Sequence, residues 1–122
     1  MLSCRHQSLL KKGIFMTVKE IIDYTDKLKP NSFDLETKLV WINQVEGMIL
    51  SEINKIPLDK IEVLTDTSEQ LSVPHPYCQI YSFYIISMID FFSGDFIKYQ
   101  NSSAAYNDAV RVYAKHVLRG GK

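Results

Sequence analysis

The stretch Val73 to His116 reads VPHPYCQIYSFYIISMIDFFSGDFIKYQNSSAAYNDAVRVYAKH, and its reading decides the fold. Pro74 and Pro76 each push the preceding residue out of the α region, whereas Pro76 itself suits a first helical turn. Beyond it, Tyr77, Ile80, Tyr81, Tyr84, Ile85, Met88, Ile89 and Phe92 recur at steps of three and four, the spacing of one helix face. Phe83, Ile86 and Phe91 lie off that stripe, so the helix is apolar on more than one side. Such a helix is expected to be central or to touch another subunit. Ser93-Gly94-Asp95 is the corner: glycine accepts a left-handed helix stop, and Asp95 can cap a new helix. That second helix carries Phe96, Tyr99, Ala105, Tyr106, Ala109, Val110, Tyr113 and Val117. The pair is an aromatic helical hairpin, with no chemistry of its own.

Upstream, Thr17-Val18-Lys19-Glu20 is a capping-box pattern that opens a helix over about 18–28, ended by Pro30. Ser32 or Asp34 caps a longer helix reaching about Ile56, with Leu35, Leu39, Ile42, Val45, Ile49, Ile53 and Ile56 as its stripe and Trp41 and Met48 beside it. Gly47 inside that helix costs about 1 kcal/mol relative to alanine and hints at a close helix crossing. From Pro57 to Ser72 the chain turns polar and loses helical periodicity, with Ile61-Glu62-Val63-Leu64 as a short strand and Thr65-Asp66-Thr67-Ser68 as a turn. The expectation is an all-α bundle of about four helices, two hairpins joined by a long loop, with at most one short β-hairpin in that loop.

A chain of 122 residues supports one core and one domain. Residues 1–15 show no period, and Met16-Thr17 begins the patterned part. Met16 is therefore taken as the original start, 1–15 as an extension, 16–119 as the domain and 120–122 as a frayed end. The formal net charge of zero hides a split: the first sixteen residues hold Arg5, Lys11 and Lys12 with no acid, leaving 11 basic against 14 acidic residues afterwards. An acidic body argues against a dedicated nucleic-acid binder. No apolar run reaches bilayer length, and Asp90 interrupts the greasiest segment.

Chemistry is sparse. Cys4 and Cys78 suggest neither a disulfide framework nor a metal site. Cys78 follows His75 by three residues, but prolines flank that histidine and no orienting carboxylate is near, so Cys78 is read as a packed thiol rather than a nucleophile. His6, His75 and His116 are too dispersed for a metal site. No phosphate-binding glycine loop is present, and neither cofactor nor catalytic residue is assigned. The Tyr/Phe stripe lacks the interleaved cations of a single-strand binder. Asp90 and Glu46 sit in otherwise apolar helices, where an unpaired charge costs several kcal/mol. Both are read as structural polar tethers, Glu46 toward Asn43 or a tyrosine hydroxyl. Chemistry gives way to surface: Tyr77, Tyr81, Phe83, Tyr84, Phe91, Tyr99, Tyr106 and Tyr113 are candidates for subunit contact, and Asp59, Glu62, Asp66 and Glu69 for a loop that orders on docking.

A succession of short motifs carries a resemblance: Leu28-Lys29-Pro30-Asn31, Trp41-Ile42-Asn43-Gln44-Val45-Glu46-Gly47, Val73-Pro74-His75-Pro76-Tyr77, Tyr81 with Tyr84, Ile89-Asp90 with Gly94-Asp95, and Tyr99-Gln100-Asn101-Ser102 with Tyr106-Asn107 and Ala109. Their order from Met16 to about His116 resembles the small head–tail connector (adaptor) proteins of long-tailed phages and prophages of Gram-positive bacteria. Cys78 stands where an acid is common in that family. The resemblance implies a helical subunit of a ring, expected to be dodecameric, in the virion neck. The ring docks beneath the portal protein, lengthens the DNA channel without sequence-specific DNA contact, and offers a platform to the next neck or tail protein. The aromatic surface then meets sister subunits or portal, and the acids of 57–72 face the lumen or an axial partner. The competing readings are a helical homo-oligomeric DNA-binding or regulatory protein, which would need a basic recognition helix, and an enzyme built on Asp90.

Overall fold

A computed structural model describes residues 15–120; the expectations for residues 1–14, Gly121 and Lys122 lie outside them. Among the described residues there are four α-helices: α1 Val18–Leu28, α2 Leu35–Met48, α3 Gln79–Phe92 and α4 Phe96–Leu118. The protein is a small all-α bundle.

Local signals place the helix ends. Thr17 accepts from the Glu20 N–H while the Glu20 carboxylate accepts from the Thr17 N–H, a complete capping box that satisfies two orphan donors. Asp34, not Ser32, caps α2 by accepting from Thr37. Asp95 caps α4 through Lys98 N–H. Gly94 turns the corner at φ 78°, a conformation open to glycine at no Cβ cost.

The second helix ends differently from its expectation. After Met48 the ladder widens into a π turn, Ile49–Ile53, with Asn54 N–H reaching back to Ile49 C=O. Lys55 then adopts a left-handed φ of 62°, which stops helical propagation before Ile56. Leu35, assigned to the buried stripe, is exposed, whereas Trp41 is buried with Ile42, Val45 and Ile49. Gly47 marks no crossing: a Cβ placed there meets nothing within 4 Å.

No strand or hairpin forms in the loop among the described residues; a 3₁₀ turn spans Leu58–Lys60, and Thr17 and Gln70 make one isolated bridge. The loop is nevertheless tied down. Asn43 brackets Leu64, accepting from its N–H at 2.8 Å and donating to its C=O at 3.0 Å. Val18 and Lys19 donate to the carbonyls of Glu69 and Thr67, and Leu71 donates to Met16.

α3 is the central element. It packs on α1, α2 and α4, while α4 packs principally on α3. Ile80, Tyr81, Ile85 and Ile89 join Ile21, Ile22, Ile42, Val45 and Ile49 in the core, each contributing about 1.5–3 kcal/mol by burial. Polar insertions are paired: Thr25 of α1 and Ser82 of α3 share a buried hydroxyl contact of 2.8 Å.

Candidate functional site

The aromatic candidates divide into an inner and an outer set. Tyr81 is wholly enclosed and Tyr113 nearly so, which removes both from the subunit-contact surface. The helical stripe points them inward because α1, α2 and α4 together surround α3. Tyr113 rests on the Tyr77 ring at 5.4 Å, and Tyr77 also meets His116 at 4.7 Å. Tyr84 and Tyr106 are half-buried against each other at 5.0 Å, and the Tyr84 hydroxyl donates to Gln44 Oε1. Burial pushes the Tyr106 hydroxyl up to about 12 and raises those of Tyr84 and Tyr113. Phe83 is half-buried.

The outer set lies at the α3–α4 corner. Phe91 is 44% exposed, Phe92 58%, Phe96 62% and Ile97 75%. These rings form one patch: Phe91 lies 5.1 Å from Phe92, 6.2 Å from Phe96 and 5.3 Å from Tyr99. Phe92 stacks on Trp41 at 6.0 Å, and Trp41 meets Phe33 edge-on at 5.3 Å, so the patch is rooted in the core. Exposed aromatic groups of this kind are normally covered by a partner. Sequence reading named Phe91 and Tyr99 but missed Phe92, Phe96 and Ile97. The available signal was their position at a glycine corner, where one helix ends and the next begins.

The two carboxylate candidates are both held by donors. Asp90 is buried and meets Lys29 Nζ at 2.9 Å and Ser102 Oγ at 2.8 Å, tying the end of α1 to α3 and α4 at the corner. Glu46 is buried and accepts from the Tyr81 hydroxyl at 2.5 Å and from Ser72 N–H at 3.0 Å. Asn43, the other partner considered for it, is committed to Leu64. Burial raises the Glu46 pKa from the ordinary 4.5, against the opposing pull of those bonds. Burial, then the neighbouring Glu46 charge, holds the Tyr81 hydroxyl well above 10.

Cys78 is wholly buried with its sulphur 3.9 Å from Met16 Sδ. It is disulfide-bonded rather than the packed thiol expected, so it offers no thiolate for attack. Among the loop acids, Asp59, Glu62 and Asp66 are exposed. Glu69 folds back to accept from Thr65 and Asp66 N–H, bonds that lower its pKa. An open concavity of about 320 Å³ is lined by Lys19, Asp23, Asp26, Lys38, Ile22 and Leu35, with Thr67 at its edge. Its charges are paired, Lys19 with Asp23 and Lys38 with Asp26. Among the described residues no three acids, histidines or cysteines are grouped as metal ligands, and no helix is long and apolar enough to cross a membrane.

Fold and surface together define a small helical bundle with a rooted aromatic corner that no described element covers. No protein-family model, curated protein or solved structure matches the chain.

Proposed function

We propose that this protein is a non-catalytic assembly subunit, a head–tail connector of a long-tailed phage or prophage. It forms a ring under the portal, lengthens the DNA channel and carries the next neck protein. One observation carries the reading: the contiguous exposed patch of Phe91, Phe92 and Phe96, anchored through Trp41 and followed in sequence by the exposed Ile97, is a preformed docking knob. Aromatic anchors of this kind supply most of the energy in protein interfaces. The order of motifs from Leu28 to Ala109 supports the connector class. The buried carboxylates support it as well, because both are engaged in tying helices together.

The corner replaces Tyr81 and Tyr113 as the surface offered to portal or sister subunits. Asp59, Glu62 and Asp66 are exposed and available to a partner surface. Mixing the protein with the portal ring encoded in the same genome tests the reading: co-migration in size-exclusion chromatography supports it. Absence of any complex at micromolar concentration argues against it.

A further inference from the structure

Charge is divided between α4 and the long loop. On α4, Arg111, Val112, Lys115, Leu118 and Arg119 are exposed, and at about 100° per residue they occupy one third of the helix circumference. That face holds three cations against one anion, Asp108, which pairs with Arg111. It is also apolar, for Leu118 is 86% exposed. Because α4 packs principally on α3, nothing in the described fold covers it.

The opposite pattern lies in the loop. Asp59, Glu62 and Asp66 stand exposed with one lysine, Lys60, among them, beside Leu58 and Val63, 77% and 69% exposed. The loop beyond Ile61 is bound to α1 and α2, by Asn43 at Leu64 and by Lys19 at Thr67. It is therefore held by elements other than α4, which carries the basic face. The two surfaces match: each pairs exposed aliphatic groups with a surplus of one sign of charge.

We infer that the Arg111–Lys115–Arg119 face of α4 in one copy docks on the Leu58–Asp66 segment of the next copy. Such a contact joins two different patches, so it is heterologous and repeats head to tail until it closes. It rests on the connector reading and specifies how that ring is built. Since the charges are solvent-facing, the attraction is screened by salt.

Sedimentation velocity of the full chain provides the test. Concentration-dependent association at low ionic strength that weakens as salt is added is expected. The pair Arg111→Glu/Lys115→Glu and the pair Glu62→Lys/Asp66→Lys are each expected to raise the dissociation constant at least tenfold. An equimolar mixture of the two variant chains recovers association, because each brings the sign that the other has lost. Circular dichroism verifies that these exposed substitutions leave the fold intact. A chain that stays monomeric at all salt concentrations, association indifferent to either pair, or a mixture without recovery overturns the inference. Portal-ring binding on the same samples separates the two ideas. Binding without self-association removes this contact and leaves the connector reading, whereas self-association without portal binding does the reverse.

Discussion

The Tyr81 hydroxyl donates to Glu46 Oε1 at 2.5 Å while accepting from the Val73 N–H at 3.0 Å. One phenol thus links α2, α3 and the end of the long loop. Ser72 N–H completes the arrangement on the second carboxylate oxygen. Tyr81→Phe strands the Val73 donor and leaves the buried Glu46 carboxylate with Ser72 N–H as its remaining described donor. Unsatisfied buried groups cost about 1–3 kcal/mol each. Urea unfolding of Tyr81→Phe is therefore expected to show a loss of about 2–4 kcal/mol, with hydrogen exchange at residues 71–73 accelerated first; an unchanged midpoint contradicts this role.

The same pair fixes a pH dependence. Burial raises the folded-state pKa of Glu46 above 4.5. A raised folded value means that the native state binds the proton more tightly than the unfolded chain does. Ionisation of Glu46 therefore costs stability at neutral pH, and this cost is relieved as pH falls through its raised value toward 4.5. The difference in unfolding free energy between wild type and Glu46→Gln should shift in favour of wild type between pH 7 and pH 4.5. A difference that is flat across that window contradicts the assignment.

Asp90 and Lys29 predict an asymmetry. Asp90 is buried, whereas the Lys29 side chain is 30% exposed. Lys29→Met leaves an almost enclosed carboxylate with Ser102 as its remaining described partner, and breaking a buried pair in this way costs about 3–5 kcal/mol. Asp90→Asn leaves a lysine that can turn to water and costs about 1.5–3 kcal/mol, the worth of a charged hydrogen bond. Thermal melts of the two variants should rank them in that order, and the reverse ranking counts against the tether.

Gly47 gives a prediction of opposite sign. It lies inside α2 with open space where a Cβ would be. Gly47→Ala is expected to stabilise the protein by about 0.5–1 kcal/mol, through helix propensity alone. A lower melting temperature would show that the position is crowded after all.

Much of the architecture was legible in the sequence. Capping signals at Thr17 and Asp95, the stop at Pro30 and the corner at Gly94 are local, and local chemistry survives folding. The stripe of α3 likewise foretold Ile80, Ile85 and Ile89 in the core. Periodicity could not tell which side of an all-round apolar helix remains uncovered. Tyr81 and Tyr113 were assigned outward and are inside, while Phe92, Phe96 and Ile97 are outside because no described element covers the corner. The π turn at Ile49–Ile53 was equally hidden, since one widened turn leaves no sequence period. Glu46 and Asp90 stood out as polar residues in apolar helices, but their partners Ser72, Lys29 and Ser102 are 26, 61 and 12 residues away, beyond any spacing rule.

The account stands on the corner being a surface made to be covered. Phe96 and Ile97 are the residues to change, because they are the most exposed of the patch and their replacement should alter stability by no more than about 0.5 kcal/mol. Calorimetric titration of the portal ring with wild type and with Phe96→Asp/Ile97→Asp measures this directly. The predicted result is binding by wild type and at least a hundredfold weaker binding by the folded double variant. Equal affinity for the two proteins, or none for wild type, contradicts the claim.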